Sequence, residues 1–305
     1  MGGVLNMKLE KNRLTISIGD NIFDTINLII MTIICIAIVY PIYYVIIASF
    51  TEPHIVSSGK VLLYPEEVFM GGYERIFTYP PIWKGYANTI KYTFVGTLIS
   101  ICTTVPCAYA LSRKDLFLRK QIMFLFTFTM FFNGGIIPLY LVIRSIGIYD
   151  TIWAIVLPPA VSVWNLIICR TFFETTIPDE LLEAAIIDGC SDYGFFFRIV
   201  IPLSSTIITV MILFYSTAIW NSFMNALMFL SESDKMPLQV VLRNLILINQ
   251  ASSLTTDAQE MVLRQKLAEQ LKYGVIVVAT VPLLAVYPFL QKYFTKGVMI
   301  GAIKG

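Results

Sequence analysis

The chain has 305 residues, 57% of them hydrophobic and 14% charged, with a formal net charge of +2 and a mean hydropathy of +0.74. That balance excludes a soluble globular domain of this size and implies an integral membrane protein. The near-neutral charge gives no reason to expect nucleic acid, the single His54 excludes a multi-histidine metal site, and no G-x-x-x-x-G-K-[ST] phosphate loop occurs.

Residues 1–24 are polar, carry Lys8, Lys11 and Arg13, and show no small-residue cleavage site. The apolar segment that follows is too long for a signal-peptide core, so it is expected to stay as an anchor. Stretches poor in charge predict six membrane spans, at about 25–50, 88–112, 121–144, 151–172, 203–222 and 272–293. Each is close to the roughly 20 residues a helix needs to cross the hydrocarbon layer. Together they make one six-helix domain over 25–293, followed by a tail at 294–305. A polar loop at 174–202 separates the fourth and fifth spans, and a longer loop at 222–272 separates the fifth and sixth. The end of that longer loop, from Thr256 to about Lys272, predicts a surface helix. Cys35, Cys102, Cys107 and Cys169 lie in apolar segments and Cys190 in the 174–202 loop, so all five read as packing residues and free thiols. Pro106, Gly134 and Gly135 with Pro138, Pro158 and Pro159, Pro282 and Pro288 place helix breakers within spans. Such breaks are tolerated where helices pack or line a cavity, and their number favours a protein that rearranges.

Orientation follows from the short loops. With the N-terminus inside, the inner segments hold Lys8, Lys11 and Arg13; Arg113, Lys114, Arg119 and Lys120; Arg170 and Arg198; and Lys292, Lys296 and Lys304. The two shorter outer loops hold only Lys60, Arg75, Lys84 and Arg144. Both termini and the 174–202 loop are therefore expected in the cytoplasm.

That loop is a polar island with six carboxylates, Glu174, Asp179, Glu180, Glu183, Asp188 and Asp192. Pro178 suits the first position of a helix, with Asp179 and Glu180 in the first turn, where they complement the helix dipole. Leu181, Ala184, Ala185 and Asp188 share helical spacing, and the two alanines offer a close-approach face. Gly189 is placed to end the helix, Ser191 and Asp192 to cap a second one, and Pro202 to close it. Phe195, Phe196 and Phe197 are expected to pull its far end into an apolar layer.

The run Glu183-Ala184-Ala185, then Gly189 after three residues, then Ile199-Val200-Ile201-Pro202 after nine more, resembles the coupling-loop signature of ABC importer permeases, E-A-A-x3-G-x9-I-x-L-P. Ile201 stands in place of leucine. The wider chain resembles the carbohydrate-uptake, maltose-type branch, and most of all the subgroup for oligosaccharides and polysaccharide fragments in Gram-positive bacteria. Ala108-Tyr109-Ala110-Leu111-Ser112-Arg113, Asn133-Gly134-Gly135-Ile136-Ile137-Pro138, Val161-Ser162-Val163-Trp164-Asn165, Trp220-Asn221-Ser222-Phe223, Pro237-Leu238-Gln239 and the run from Lys296 to Gly305 carry that similarity.

The resemblance implies an all-α type I ABC importer permease with six transmembrane helices and cytoplasmic coupling helices, in a bacterial cell membrane. It implies a non-catalytic subunit that binds no cofactor, with ATP and Mg on two partner ATPase subunits. A second related permease and an extracellular solute-binding lipoprotein complete the assembly, besides membrane lipid. Glu183, Ala184, Ala185, Asp188, Gly189 and Pro202 become the ATPase-coupling residues, and Gly301, Lys304 and Gly305 a tail that contacts the ATPase dimer. Sugar sites pair aromatic faces with amides and hydroxyls, which nominates Tyr140, Trp164 with Asn165, Tyr215, and Trp220 with Asn221 for the oligosaccharide path. The competing reading is that these aromatics anchor helices at the membrane interface. Alternatives for the whole chain are the same architecture importing another solute, such as a glycerol phosphate ester, or an ion-coupled secondary transporter. The latter would favour ionisable groups at mid-membrane, whereas Lys91 and Arg170 lie at segment ends. A membrane-embedded enzyme would need a polar catalytic cluster within the spans, and none is present.

Overall fold

A computed structural model describes residues 18–59, 63–65, 67–251, 266–285 and 288. Among them the chain is helical, and the only extended pairing is an isolated bridge between Thr51 and Val68. In order the helices are α1 (Ile18–Phe50), α2 (Pro53–Ser57), α3 (Gly71–Phe77), α4 (Pro80–Ser112), α5 (Arg119–Phe131), α6 (Ile136–Ser145), α7 (Trp153–Val156), α8 (Val163–Thr176), α9 (Asp179–Ile187), α10 (Asp192–Phe195), α11 (Ile201–Leu203), α12 (Ser205–Trp220), α13 (Met224–Phe229) and α14 (Leu238–Ala251). A last helix, α15, spans Lys266–Ala285.

By length and composition, three helices suit a membrane crossing unbroken: α1 from Ile22, α4 and α15. Two bent pairs are apolar and long enough only when taken together, α5 with α6 at 114° and the Asp192–Leu203 run with α12 at 78°. The first bend has a local cause. Gly135 adopts φ 85° and ψ 179°, a region essentially closed to residues with a Cβ, and its N–H is held by the Asn133 side chain at 2.8 Å. The segment expected as one span over 151–172 is instead split. Pro158 and Pro159 lie in the turn between α7 and α8, so the 14-residue α8 begins only at Val163. The expected surface helix also reads differently. Residues 252–265 lie outside the described residues, and from Lys266 onward the chain is already in the long apolar α15. The tail, with Gly301, Lys304 and Gly305, lies outside the described residues as well.

The body is built around α4, which packs against α7, α8, α12 and α14. One apolar cluster at the C-terminal end of α4 joins Ala108, Leu111, Leu166, Phe173, Phe195, Val200 and Met211. A second, toward the N-terminal end, joins Ile82, Leu238, Leu242, Leu271 and Val275. Polar staples fix α14 there: the Thr89 hydroxyl accepts the Leu238 N–H at 2.8 Å, and the Tyr92 hydroxyl donates to the Lys235 carbonyl at 2.7 Å. By contrast α1 is solvent- or lipid-facing along its apolar length, with Phe23, Leu28 and Ile36 more than half exposed.

Candidate functional site

At the C-terminal end of α4 the 174–202 segment folds into a helix–turn–helix. Pro178 is extended (φ −67°, ψ 148°) and sits just ahead of α9, so Asp179 is the first helical residue and Asp179 and Glu180 fill the first turn. The helix ends in a Schellman arrangement. The Cys190 N–H donates to the Ala185 carbonyl at 2.8 Å and the Gly189 N–H to the Ile186 carbonyl at 3.0 Å. Gly189 makes this closure possible with φ +75°. The Ser191 hydroxyl then accepts the Gly194 N–H at 3.2 Å and caps α10. Beyond it the ladder loosens into a π-helical turn, Phe196–Val200, and Pro202, which has no N–H to give, sits in α11 just before the 78° bend into α12.

The two faces of this hairpin differ. Ala185, Phe195, Phe196 and Val200 are buried in the cluster with Leu111, Phe173 and Met211, and Tyr109 packs edge-on against Phe173. Ala185 is thus the close-packed alanine, spent inside the chain, whereas Ala184 faces outward beside Glu183, Asp188 and Gly189. The outer face is less purely acidic than its composition suggests, because Ile187 (85%), Tyr193 (81%) and Phe197 (64%) are exposed among the carboxylates. An exposed apolar patch rimmed by charge has the makings of a protein contact.

A network of ion pairs roots the hairpin. Arg119 of α5 and Arg170 of α8 each donate from Nε to the Leu111 carbonyl near the end of α4, at 2.9 and 3.0 Å. Both guanidiniums also bond the same Glu174 Oε1, with the Arg170 contact at 2.7 Å. Lys114 pairs with Asp179 of α9 at 2.6 Å, and Arg113 grips Asp115 through two nitrogens, which holds that carboxyl below its ordinary range. A cleft of about 310 Å³ lies between these groups, floored by Phe173 and Phe195. Glu174 had been legible only as one carboxylate among six. Its i,i+4 spacing to Arg170 was the available signal, but the third partner, Arg119, is distant in sequence and left none. The fork ties α8 to the start of α5 and the end of α4, and the exposed Lys114–Asp179 pair extends the network to α9.

The residues nominated for a substrate path pack in different apolar clusters, Tyr215 with Met211, Trp220 with Leu242 and Tyr140 against Phe229. The Tyr215 hydroxyl lies 2.7 Å from the Thr104 hydroxyl and accepts the Ser162 N–H at 3.1 Å. Trp220 is buried and donates to the Ala279 carbonyl at 3.3 Å, while the Asn221 amide caps its own helix at the Thr217 carbonyl. Asn165 is buried at the start of α8, whereas Trp164 is 60% exposed. Tyr140 packs edge-on against Tyr149, under the Arg144 guanidinium. Among the described residues no group of three or more His, Cys, Asp or Glu is placed to hold a metal.

Residues 81–300 match the family described as binding-protein-dependent transport system inner membrane component. The chain belongs to that family. The polygalacturonan/rhamnogalacturonan transport system permease protein YtcP of Bacillus subtilis is 43% identical over 279 residues, which cover 91% of this chain and 96% of YtcP. Protein LplC of the same organism is 38% identical over 287 residues, covering 94% and 96%. A solved bacterial ABC transporter involved in the import of the acidic polysaccharide alginate contains a chain 32% identical, with a TM-score of 0.78 over 91% of this chain and 98% of that one. The all-helical type I ABC permease fold implied by the coupling-loop resemblance is therefore the fold of this chain. It is an ABC importer permease, the membrane component of its system.

Proposed function

We propose that this permease imports oligosaccharides released from a polysaccharide, handed over by an extracellular binding protein and driven by ATP hydrolysis on partner subunits. The observation that carries the reading is likeness over nearly the whole chain to permeases whose names specify polysaccharide substrates, YtcP and the alginate importer. In this reading six spans cross the cell membrane, the α5–α6 and α11–α12 bends each lying within one span, with both termini in the cytoplasm. A second permease and two ATPase subunits complete the membrane assembly. ATP and Mg sit on the ATPases. The tail at Gly301, Lys304 and Gly305 reaches toward them.

The coupling step is a population shift between inward- and outward-open states, biased by ligand and nucleotide only through contacts that differ between the two. The ATPase groove receives α9, taking Ile187 as an apolar knob and Glu183 and Asp188 as charged partners. Ala184 lets the backbones approach, while Gly189 sets the angle at the turn of the hairpin and Pro202 the angle at its far end. Closure of the ATPases then pulls α9, which draws on the end of α4 through buried Ala185 and the Lys114–Asp179 pair, and the Glu174 fork joins that end to α5 and α8. Along the sugar path, Trp164 offers the open aromatic face; Tyr140, Asn165, Tyr215, Trp220 and Asn221 shape the helices around it. The test is uptake by the reconstituted complex with its binding protein, comparing oligogalacturonides, neutral oligosaccharides and glycerol phosphate esters. ATP-dependent uptake of an oligosaccharide supports the reading. Uptake of the ester alone, or uptake without nucleotide, sinks it.

A further inference from the structure

The turn joining α4 to α5 carries more positive charge than its partners neutralise. Arg119 and Arg170, with side chains 23% and 22% exposed, share the single carboxylate of Glu174, so this largely desolvated pair keeps one uncompensated charge. Exposed Lys120 makes no ion pair among the described residues. Beside them opens a groove of about 640 Å³, with Lys114, Arg119, Lys120 and Arg170 at one end and Met123 and Phe124 further along α5. α5 has no buried residue, Phe124 is 68% exposed, and Phe117 at the tip of the turn is 82% exposed. Cations next to exposed aromatic rings at the end of a membrane helix are the two halves of an amphiphile-binding surface.

We infer that this groove binds an anionic phospholipid of the inner leaflet, its phosphate at Lys120 and the Arg119–Arg170 pair and its acyl chain along Met123 and Phe124. The inference rests on the orientation given above, which sets residues 113–120 at the cytoplasmic boundary. A free phosphate would satisfy the cations but would have no use for the apolar wall. A zwitterionic lipid would fill the wall but leave the excess charge. The seat is in contact with the coupling apparatus, because Arg119, Arg170 and Lys114 serve both. A bound phosphate there shares the two guanidiniums with Glu174 and so tunes how stiffly α8, which leads into α9, is tied to α5.

The test uses the full importer complex in vesicles, with Phe124→Trp as a reporter and lipids brominated on the acyl chain as quenchers, measured against the parent complex. Brominated phosphatidylglycerol is expected to quench at a lower mole fraction than brominated phosphatidylcholine, and Lys120→Gln to reduce that preference about fivefold, the effect of one cation near a charged surface. Lys84→Gln, at the other end of α4, is expected to leave it unchanged. Equal quenching by the two lipids overturns the inference, as does equal loss in both lysine variants. No quenching by either lipid means that protein covers the groove, and abolition by excess inorganic phosphate means a free-anion site; both also overturn it. ATP-driven uptake by the same vesicles tests the permease reading separately, so either can fail without the other.

Discussion

Glu174 carries two arginines on one oxygen and ties the helix that leads into the 174–202 hairpin to the start of α5. Glu174→Gln leaves two guanidiniums facing each other over a neutral amide. For partly exposed groups this costs about 1–3 kcal/mol, below the figure for a fully buried pair. The expected outcome in the reconstituted complex is ATP hydrolysis that continues while uptake falls several-fold; a parallel fall in both would mean simple unfolding. Gly189 gives a second test. A Cβ there meets nothing within 4 Å, so Gly189→Ala is not crowded, but its φ of +75° costs an L-residue about 1–2 kcal/mol. Binding-protein-stimulated ATPase activity should drop in that variant and be restored by Gly189→Asn, which tolerates the left-handed region. Gly189 was legible from its spacing to Glu183, whereas the burial of Ala185 and exposure of Ala184 were not, since adjacent alanines look alike until the packing partner is known.

At the level of elements, a second ionic latch joins the turn between α6 and α7 to the loop between α13 and α14. Asp150, at φ +59°, accepts Lys235 Nζ at 2.7 Å and the Ser231 N–H at 2.8 Å. The Lys235 ammonium and then the Ser231 N–H draw its carboxyl down from 3.8 to about 2, against burial. A depressed carboxyl stabilises the fold above its ordinary range and ceases to do so as pH falls through the folded value. The latch should therefore hold unchanged from pH 8 to pH 5 and weaken between about 4 and about 2. Thermal melts of Asp150→Asn, which keeps the backbone conformation, should lie below wild type at neutral pH and lose less on acidification. A wild-type loss centred near pH 6 would contradict this. Neither the latch nor the split of the 151–172 segment was visible beforehand. Hydropathy sees apolar length, and Pro158 with Pro159 signalled a break without saying whether the chain would kink or stop.

For the molecule as a whole, membrane character and the importer-permease fold followed from composition plus one loop signature. The span count did not follow as cleanly, because Gly135 and Pro202 fold single apolar stretches into bent pairs. In the proposed mechanism the driving motion enters through α9 from the cytoplasmic side. Ile187, the most exposed large hydrophobic residue of that helix, gives the most direct test. In a chain whose native cysteines are replaced by alanine, Ile187→Cys is treated with a membrane-impermeant maleimide in right-side-out and inverted vesicles. Labelling is expected only in inverted vesicles, with protection when the ATPase subunits are bound. Labelling from the outside, or labelling indifferent to the ATPase, would contradict that mechanism.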